Sequence, residues 1–273
     1  MNIEIKNVQE TLFIPLWGRA QASLLYPNLL NDKDAVRIIN ELNYDFSKMQ
    51  LCVGRLDIMS FLARAYNIDK LVFDFIKRHP DGTVVNLGCG LDTTFLRIDN
   101  GRIKWYDLDL PDVIELRQNI IPATKRVTMI SKSIFDNSWY ADIDYSPQKG
   151  LLFIAAGLFF YFNESEVKKF ILNLSNHFPL SELFFDATST LGSKLANKKI
   201  NKSGHKGVAT LFHINNPSKT LYDWSKKIKV INQYPYYHFV IKEIQEDKIT
   251  KMKMILNDWL YINHCIHLKF LSE

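Results

Sequence analysis

The chain has 273 residues, of which 47% are hydrophobic, so it can bury a substantial core in one large domain or two small ones. Its net charge of +5 comes from lysines dispersed among acids, which is typical of a solvated surface and does not by itself indicate nucleic-acid binding. No apolar run approaches the roughly 18–20 residues that span a bilayer. Cys52, Cys89 and Cys265 are too few and too far apart for a disulfide framework, and no signal peptide is evident, so we expect a cytoplasmic protein.

The first third of the sequence predicts helices. Apolar residues in 35–42 recur at positions i, i+3, i+4 and i+7, and the segments 51–66 and 68–76 continue that period. The run 79–82, His-Pro-Asp-Gly, ends this helical region abruptly. We therefore interpret residues 1–80 as a helical extension that covers the domain that follows it.

After this stop, the pattern changes to short β-rich runs separated by helices. The predicted strands are 83–87, 103–108, 127–131, 151–155 and 182–188. Asp92 is expected to cap a helix over 93–97, and Pro111 is placed to begin another. Asn163 and Glu166 form the start signal of a third helix. Strands that alternate with helices imply right-handed crossovers, so the sequence predicts a Rossmann-like, doubly wound, mostly parallel α/β sheet.

Residues 189–226 follow the predicted cofactor-binding core, 83–188, and we interpret them as a mobile insertion on the substrate side. This stretch contains the one local concentration of positive charge. Its lysines are Lys194, Lys198, Lys199, Lys202 and Lys206. No aromatic residue is interleaved among them to stack a base, so they do not predict a nucleic-acid site. Since no linker divides the chain, we expect a single domain.

A glycine turn joins the first predicted strand to its helix. Gly88 and Gly90 allow a tight turn and a close approach to a ligand, and Asp109 ends the second strand, where an acid can accept hydrogen bonds from ribose hydroxyls. Thr93 stands where a dinucleotide site carries its third glycine, so a pyrophosphate cradle is poorly specified. The pattern favours S-adenosylmethionine over a nicotinamide dinucleotide. The alternative is that the glycines only shape a turn and Asp109 caps a helix.

Four stretches carry a resemblance to a known family. They are residues 14–20, the glycine turn 85–97, the acidic loop 106–114, and residues 154–162 after the fourth strand. The chain resembles the leucine carboxyl methyltransferase family, in particular its bacterial branch of polyketide-synthesis O-methyltransferases of the tetracenomycin type. This resemblance implies a methyltransferase fold with S-adenosylmethionine as cofactor.

The resemblance also implies roles for the positions that match. Arg19 would bind the carboxylate of the cofactor's amino-acid head group, which suits a guanidinium, although a surface helix arginine is the alternative. The expected cofactor-binding residues are Arg19, Gly88, Cys89, Gly90, Asp109, Leu110, Ser133, Ile134, Ala155 and Ala156. Ser133 and Ala156 stand where many relatives carry an aspartate and a glutamate. Two carboxylates are therefore missing from the expected pocket.

Tyr161 follows the fourth strand, at the edge where such sheets bind ligands, and is our candidate catalytic residue. Further candidates for a base or an acceptor-positioning group are Asp186, His205, His213 and His238, and none of the histidines is assigned a role. The run 264–267, His-Cys-Ile-His, lies in a predicted terminal strand, 262–271. Because residues three apart on a strand face opposite sides, this run does not predict a metal site.

The sequence thus predicts an S-adenosylmethionine-dependent O-methyltransferase that acts on a carboxylate or hydroxyl of a small molecule. A protein-carboxyl methyltransferase stays open, as does a non-catalytic cofactor-binding or interaction protein whose site has degenerated at Ser133 and Ala156. Thr93 disfavours a nicotinamide-dependent oxidoreductase. The expected partners are the cofactor and a small-molecule acceptor, with no nucleic acid, membrane or metal, and the oligomeric state is not predicted.

Overall fold

The structure, a computed structural model, describes residues 7–122, 124–203 and 209–272, without the side chains of 7–11, 48, 52 and 200–203. The helices are α1 (Asn7–Leu25), α2 (Lys33–Glu41), α3 (Ser47–Cys52), α4 (Arg55–Arg78), α5 (Thr94–Ile98), α6 (Pro111–Ile120), α7 (Glu164–His177), α8 (Thr190–Ser203), α9 (Pro217–Trp224) and α10 (Lys248–Trp259). The strands are β1 (Thr83–Leu87), β2 (Lys104–Asp109), β3 (Val127–Ser131), β4 (Leu151–Ala155), β5 (Glu182–Thr188), β6 (Ile228–Pro235) and β7 (Asn263–Phe270). Short 3₁₀ turns occupy Asn137–Asp142 and Phe159–Tyr161.

The seven strands form one sheet in the order β3-β2-β1-β4-β5-β7-β6. Strands β1 to β5 pair in parallel with one another, whereas β7 pairs antiparallel with both β5 and β6. The predicted doubly wound, mostly parallel sheet is therefore confirmed. Its strand order reverses between β1 and β4, and the loops that follow these two strands diverge to leave a crevice at the carboxyl edge.

Several element boundaries follow from local signals. Strands β1, β3, β4 and β5 have the predicted limits, and Pro111 occupies the first turn of α6. The Asn163 side chain accepts from the Glu166 backbone N–H while the Glu166 side chain accepts from the Asn163 backbone, so the predicted capping box begins α7. The helical region before β1 differs from the prediction, because α3 ends at Cys52 and α4 starts only after Gly54.

Alternate residues of the central strands enter two separate cores. Val84, Leu152 and Phe184 face the core that α1 and α4 cover. Val85 and Phe153 face the opposite core, which contains α7. Both faces of the sheet are thus buried, which explains why these strands appear in the sequence as continuous apolar runs.

Residues 189–226, predicted as an insertion, contain α8 and α9. Lys199 on α8 donates to both carboxylate oxygens of Asp57, at 2.6 and 2.7 Å. His205, Lys206 and the side chain of Lys202 lie outside what the structure describes. Within the described part of the chain, no helix combines the length and the apolar character needed to cross a bilayer.

Candidate active site

A cavity of about 410 Å³ lies at the crevice between the ends of β1 and β4. Its volume is within the usual range for small-molecule sites, roughly 300–1,000 Å³. One set of lining residues, which we name the glycine-turn wall, consists of 88–92 and Asp109. A second set, which we name the Arg64 wall, consists of Phe61, Arg64, Tyr161 and Phe162.

The glycine turn has a conformation that only glycine adopts easily. Gly88 and Gly90 have φ angles of +60° and +47°, in the left-handed region. A Cβ on Gly88 would lie 2.6 Å from Cδ1 of Leu158, which is too close for an unstrained contact. The two glycines therefore bring bare backbone to the cavity surface.

Arg117, on α6, holds the turn from the protein interior. Its Nη1 donates to the carbonyl oxygens of Gly90 and Asp92, at 3.0 and 2.6 Å. Its Nε and Nη2 donate to Oδ2 of Asp107, at 3.0 and 2.6 Å. Burial opposes the charge, but the Asp107 carboxylate raises the pKa of Arg117 above its ordinary value. Asp107 is fully buried and is committed to this ion pair, so it is not available to a ligand.

Arg19, the predicted carboxylate-binding residue, lines the cavity and is 8% exposed. Its Nη2 donates to the Leu91 carbonyl at 2.6 Å, and its Nε donates to Asp32 Oδ2 at 3.0 Å. The same Asp32 oxygen accepts from Arg97 and from the Thr93 hydroxyl, at 2.8 and 2.7 Å. Burial raises the pKa of Asp32, but Arg97 and Arg19 outweigh it and lower that pKa overall. Arg19 thus ties α1 to the glycine turn. Of its three guanidinium nitrogens, Nη1 is the one that has no partner among the described residues.

Asp109 lies at the end of β2, as predicted, and lines the cavity. Its Oδ2 accepts from the Gly90 backbone N–H and its Oδ1 from that of Leu110, both at 2.8 Å. Burial raises the pKa of Asp109, and the two backbone donors offset only part of that rise. Since each carboxylate oxygen can accept a second hydrogen bond, Asp109 can hold the turn and still bind two hydroxyls.

The first turn of α5 is not available to a phosphate. The carboxylate of Asp92 accepts from the backbone N–H of Thr94 at 3.2 Å and from its hydroxyl at 3.0 Å. The helix begins at Thr94, one residue later than predicted, and Asp92 supplies the side-chain acceptor at its start. A pyrophosphate would meet this acid at the position where dinucleotide sites offer backbone donors.

Arg64, on the second wall, is a cavity residue that the sequence patterns do not predict. Its Nε donates to Oδ2 of Asp186 at 2.9 Å, and its guanidinium carbon lies 6.0 Å from the centre of the Phe160 ring. Among the described residues, its Nη1 and Nη2 have no hydrogen-bond partner. A second arginine therefore lines the cavity, and two of its nitrogens have no partner among the residues that the structure describes.

Tyr161, the candidate catalytic residue, lies beside Arg64 on the same wall and is 51% exposed. Its hydroxyl has no hydrogen-bond partner among the described residues. Asp186, a candidate base, neither lines the cavity nor caps α8, since its carboxylate is buried against Arg64. The two described histidines from that set, His213 and His238, do not line the cavity either, and His205 lies outside the described residues.

Three members of the predicted cofactor set do not line the cavity. Ala155 and Ile134 are buried in the core that contains α7. Ala155 points there because alternate positions of β4 face opposite sides of the sheet, and Ile134 lies in the turn after β3. The Ser133 hydroxyl accepts from the Phe135 backbone N–H at 3.3 Å, so it serves the local turn. Ala156, one residue beyond β4, does line the cavity, as do the other predicted residues.

The two histidines of β7 contact different partners. His267 Nε2 lies 2.9 Å from Oε2 of Glu182, and His264 Nδ1 lies 3.3 Å from the Tyr261 carbonyl oxygen. The described side chains include no group of three His, Cys, Asp or Glu residues placed to hold a metal ion.

Two curated relatives match most of the chain. TcmP of Streptomyces glaucescens, a tetracenomycin polyketide synthesis O-methyltransferase, is 32% identical over 187 residues, which is 68% of this chain and 67% of that protein. The S-adenosyl-L-methionine-dependent methyltransferase dpfgK of Gibberella zeae is 30% identical over 219 residues, which is 73% of this chain and 72% of that protein.

Two solved structures share the fold. A DUF574 family protein from Streptomyces avermitilis superposes with a TM-score of 0.59 at 10% identity, over 86% of this chain and 94% of that one. A structure described as a putative methyltransferase from Thermobifida fusca gives 0.56 at 11% identity, over 93% and 94%. The sequence profile of leucine carboxyl methyltransferases matches residues 17–175. The chain therefore belongs to the leucine carboxyl methyltransferase family and is an S-adenosylmethionine-dependent methyltransferase, as the sequence predicted.

Proposed function

We propose that this protein is an O-methyltransferase that esterifies a carboxylate of a small molecule, with S-adenosylmethionine bound across the two walls of the cavity. When bound, S-adenosylmethionine supplies a methyl group from a positively charged sulfur. The names of the two curated relatives support methyl transfer, and TcmP is named as an O-methyltransferase.

The glycine-turn wall fits the adenosine half of this cofactor. Asp109 offers acceptors to the ribose hydroxyls, and the bare backbone at Gly88 and Gly90 permits close approach. The Asp92 carboxylate at the start of α5 repels a phosphate but has no such effect on a phosphate-free ligand.

The Arg64 wall fits the amino-acid head group. Arg64 lines the cavity, and its two terminal nitrogens have no partner among the described residues, so it can form a fork on a carboxylate. Within the described part of the chain, Arg19 retains Nη1 alone for the same purpose, because its Nε and Nη2 donate to Asp32 and Leu91. We therefore assign the main carboxylate contact to Arg64 and a secondary contact to Arg19.

One observation supports a carboxylate as the acceptor. Among the described residues that line the cavity, the ionisable groups are Arg19, Arg64, Cys89, Asp92, Asp109 and Tyr161. Both aspartates lie on the glycine-turn wall, and burial raises the pKa of Cys89, which keeps it a neutral thiol. A carboxylate is ionised at neutral pH, so its methylation releases no proton and requires no general base. The Arg64 wall would position such an acceptor and exclude water from it.

The test is a product analysis. Purified protein is incubated with methyl-labelled S-adenosylmethionine and matched pairs of aromatic acceptors that differ only in a carboxylate or a hydroxyl. We expect labelled product only with the acids, and we expect alkali to release the label as methanol because esters hydrolyse and ethers do not. An alkali-stable product would show a hydroxyl acceptor. Tight binding of S-adenosylhomocysteine without turnover of any acceptor would favour a non-catalytic protein.

A further inference from the structure

The Asp186 carboxylate is a buried junction between three parts of the chain. It lies near the end of β5, is 1% exposed, and accepts three hydrogen bonds. Oδ1 accepts from the backbone N–H of Gly157 at 2.6 Å, while Oδ2 accepts from Nε of Arg64 at 2.9 Å and from the hydroxyl of Tyr236 at 3.0 Å. Since a buried carboxylate without donors is strongly unfavourable, these three contacts fix its position.

This junction determines which edge of Arg64 faces the cavity. With Nε bound to Asp186, the guanidinium presents Nη1 and Nη2 beside the turn after β4, where a Cβ on Gly157 would lie 3.0 and 3.5 Å from them. Gly157 has a φ of +68°, and its N–H is held by the same carboxylate. One aspartate thus positions the arginine and also the glycine that leaves room for it.

The protonation states keep this arrangement in place. Burial opposes the charge on Arg64, but Asp186 outweighs that effect and raises the pKa of the guanidinium above its ordinary value. Burial also raises the pKa of Tyr236 well above its ordinary value, so its hydroxyl remains a donor to Asp186.

We propose that Asp186, which does not touch the cavity, is a positioning residue that holds the Arg64 fork on the carboxylate of the cofactor's head group. This inference rests on the proposed role of Arg64. It predicts that Asp186 matters only for ligands that carry the amino-acid head group.

The test compares two ligands by calorimetry: S-adenosylhomocysteine, and 5′-methylthioadenosine, which lacks the amino-acid head group. We expect Asp186→Asn to weaken the binding of S-adenosylhomocysteine at least about tenfold, which is the scale of lost hydrogen bonds to charged groups. The binding of methylthioadenosine should weaken by less than about twofold. Adding Asp186→Asn to Arg64→Ala should weaken S-adenosylhomocysteine no further, because residues that act as a unit are not additive. Asp258→Asn is the control, since Asp258 accepts a hydrogen bond from the Tyr237 backbone N–H and neither residue lines the cavity.

Tyr236→Phe provides a milder second variant, which removes one donor and keeps the ion pair with Arg64. We expect it to weaken S-adenosylhomocysteine by about two- to fivefold, again without affecting methylthioadenosine. This variant decides the question if Asp186→Asn does not fold, and unchanged affinity in it would then overturn the inference.

Three other results would contradict the inference and can be told apart. Equal weakening of both ligands by Asp186→Asn would mean that Asp186 only maintains the fold. If Arg64→Ala weakens the binding of S-adenosylhomocysteine and Asp186→Asn does not, Arg64 keeps its position without Asp186. The inference about Asp186 then fails, while the proposed role of Arg64 stands. If Arg64→Ala has no effect on either ligand, the proposed role of Arg64 fails first.

Discussion

The two walls of the cavity differ in how firmly their side chains and backbone are held. On the glycine-turn wall, the carbonyl oxygens of Gly90, Leu91 and Asp92 all accept from buried arginines. On the Arg64 wall, the described residues hold the guanidinium by a hydrogen bond at Nε alone, and they offer no hydrogen-bond partner to the half-exposed Tyr161. The first wall is therefore preorganised for one fixed ligand, while the second leaves donors free for an acceptor and a head group.

The largest effect on this difference between the walls is expected when Arg117, which holds the glycine turn from the interior, is replaced. Arg117→Met should reduce the free energy of unfolding by about 3–5 kcal/mol, because it leaves the fully buried Asp107 without its ion-pair partner. Urea unfolding measures this loss. Arg102→Met is the matched control, since Arg102 and Asp81 form an exposed pair, and we expect no measurable change there. A loss below about 1 kcal/mol in Arg117→Met would mean that the turn does not depend on this support.

A smaller effect is expected from the ligand-facing acid of the same wall. Asp109→Ala should weaken the binding of S-adenosylhomocysteine by about 1.5–3 kcal/mol at neutral pH, because hydrogen bonds to a charged acceptor are lost. Glu115→Ala on the exposed face of α6 is the control and should bind normally. Unchanged affinity in a folded Asp109→Ala protein would place the ribose elsewhere.

The pH dependence of Asp109 sharpens this test. Burial raises its folded-state pKa, so it takes up a proton at a higher pH than an ordinary aspartate. Protonation removes acceptors, so affinity for S-adenosylhomocysteine should fall as the pH drops through that raised pKa. The stability of the ligand-free protein changes with pH in the opposite direction. Asp109 favours folding at low pH, and that contribution is lost as the pH rises through its folded-state pKa. Asp109→Ala should abolish both dependences.

The smallest effect is expected on the Arg64 wall. Tyr161→Phe should leave the unfolding free energy within about 0.5 kcal/mol and cofactor affinity unchanged, because the hydroxyl is exposed and lacks a described partner. If the hydroxyl positions the acceptor, kcat/KM should fall about fivefold, the scale of one neutral hydrogen bond. Tyr222→Phe, equally exposed on α9, is the control. A loss above a hundredfold with an altered pH profile would make Tyr161 a general base and favour a hydroxyl acceptor.

The sequence alone determined the central strands, the glycine turn and Asp109. Strands such as β1 and β4 are buried on both faces, so they appear as continuous apolar runs between turn residues. The capping box at Asn163 and the proline that begins α6 are equally local. Signals of this kind depend on residues close together in the chain, so they need no knowledge of the tertiary structure.

Only the tertiary structure decided the Arg64 wall and the edge of the sheet. Strand β6 was not predicted because it lies at the edge, with a mixed exposed pattern instead of an apolar run. In the sequence, Arg64 looks like any other arginine of a long helix. Nothing there pairs it with Asp186, which is 122 positions away. Such pairings arise because packing removes water from both groups, so each must find its partner wherever the fold places it.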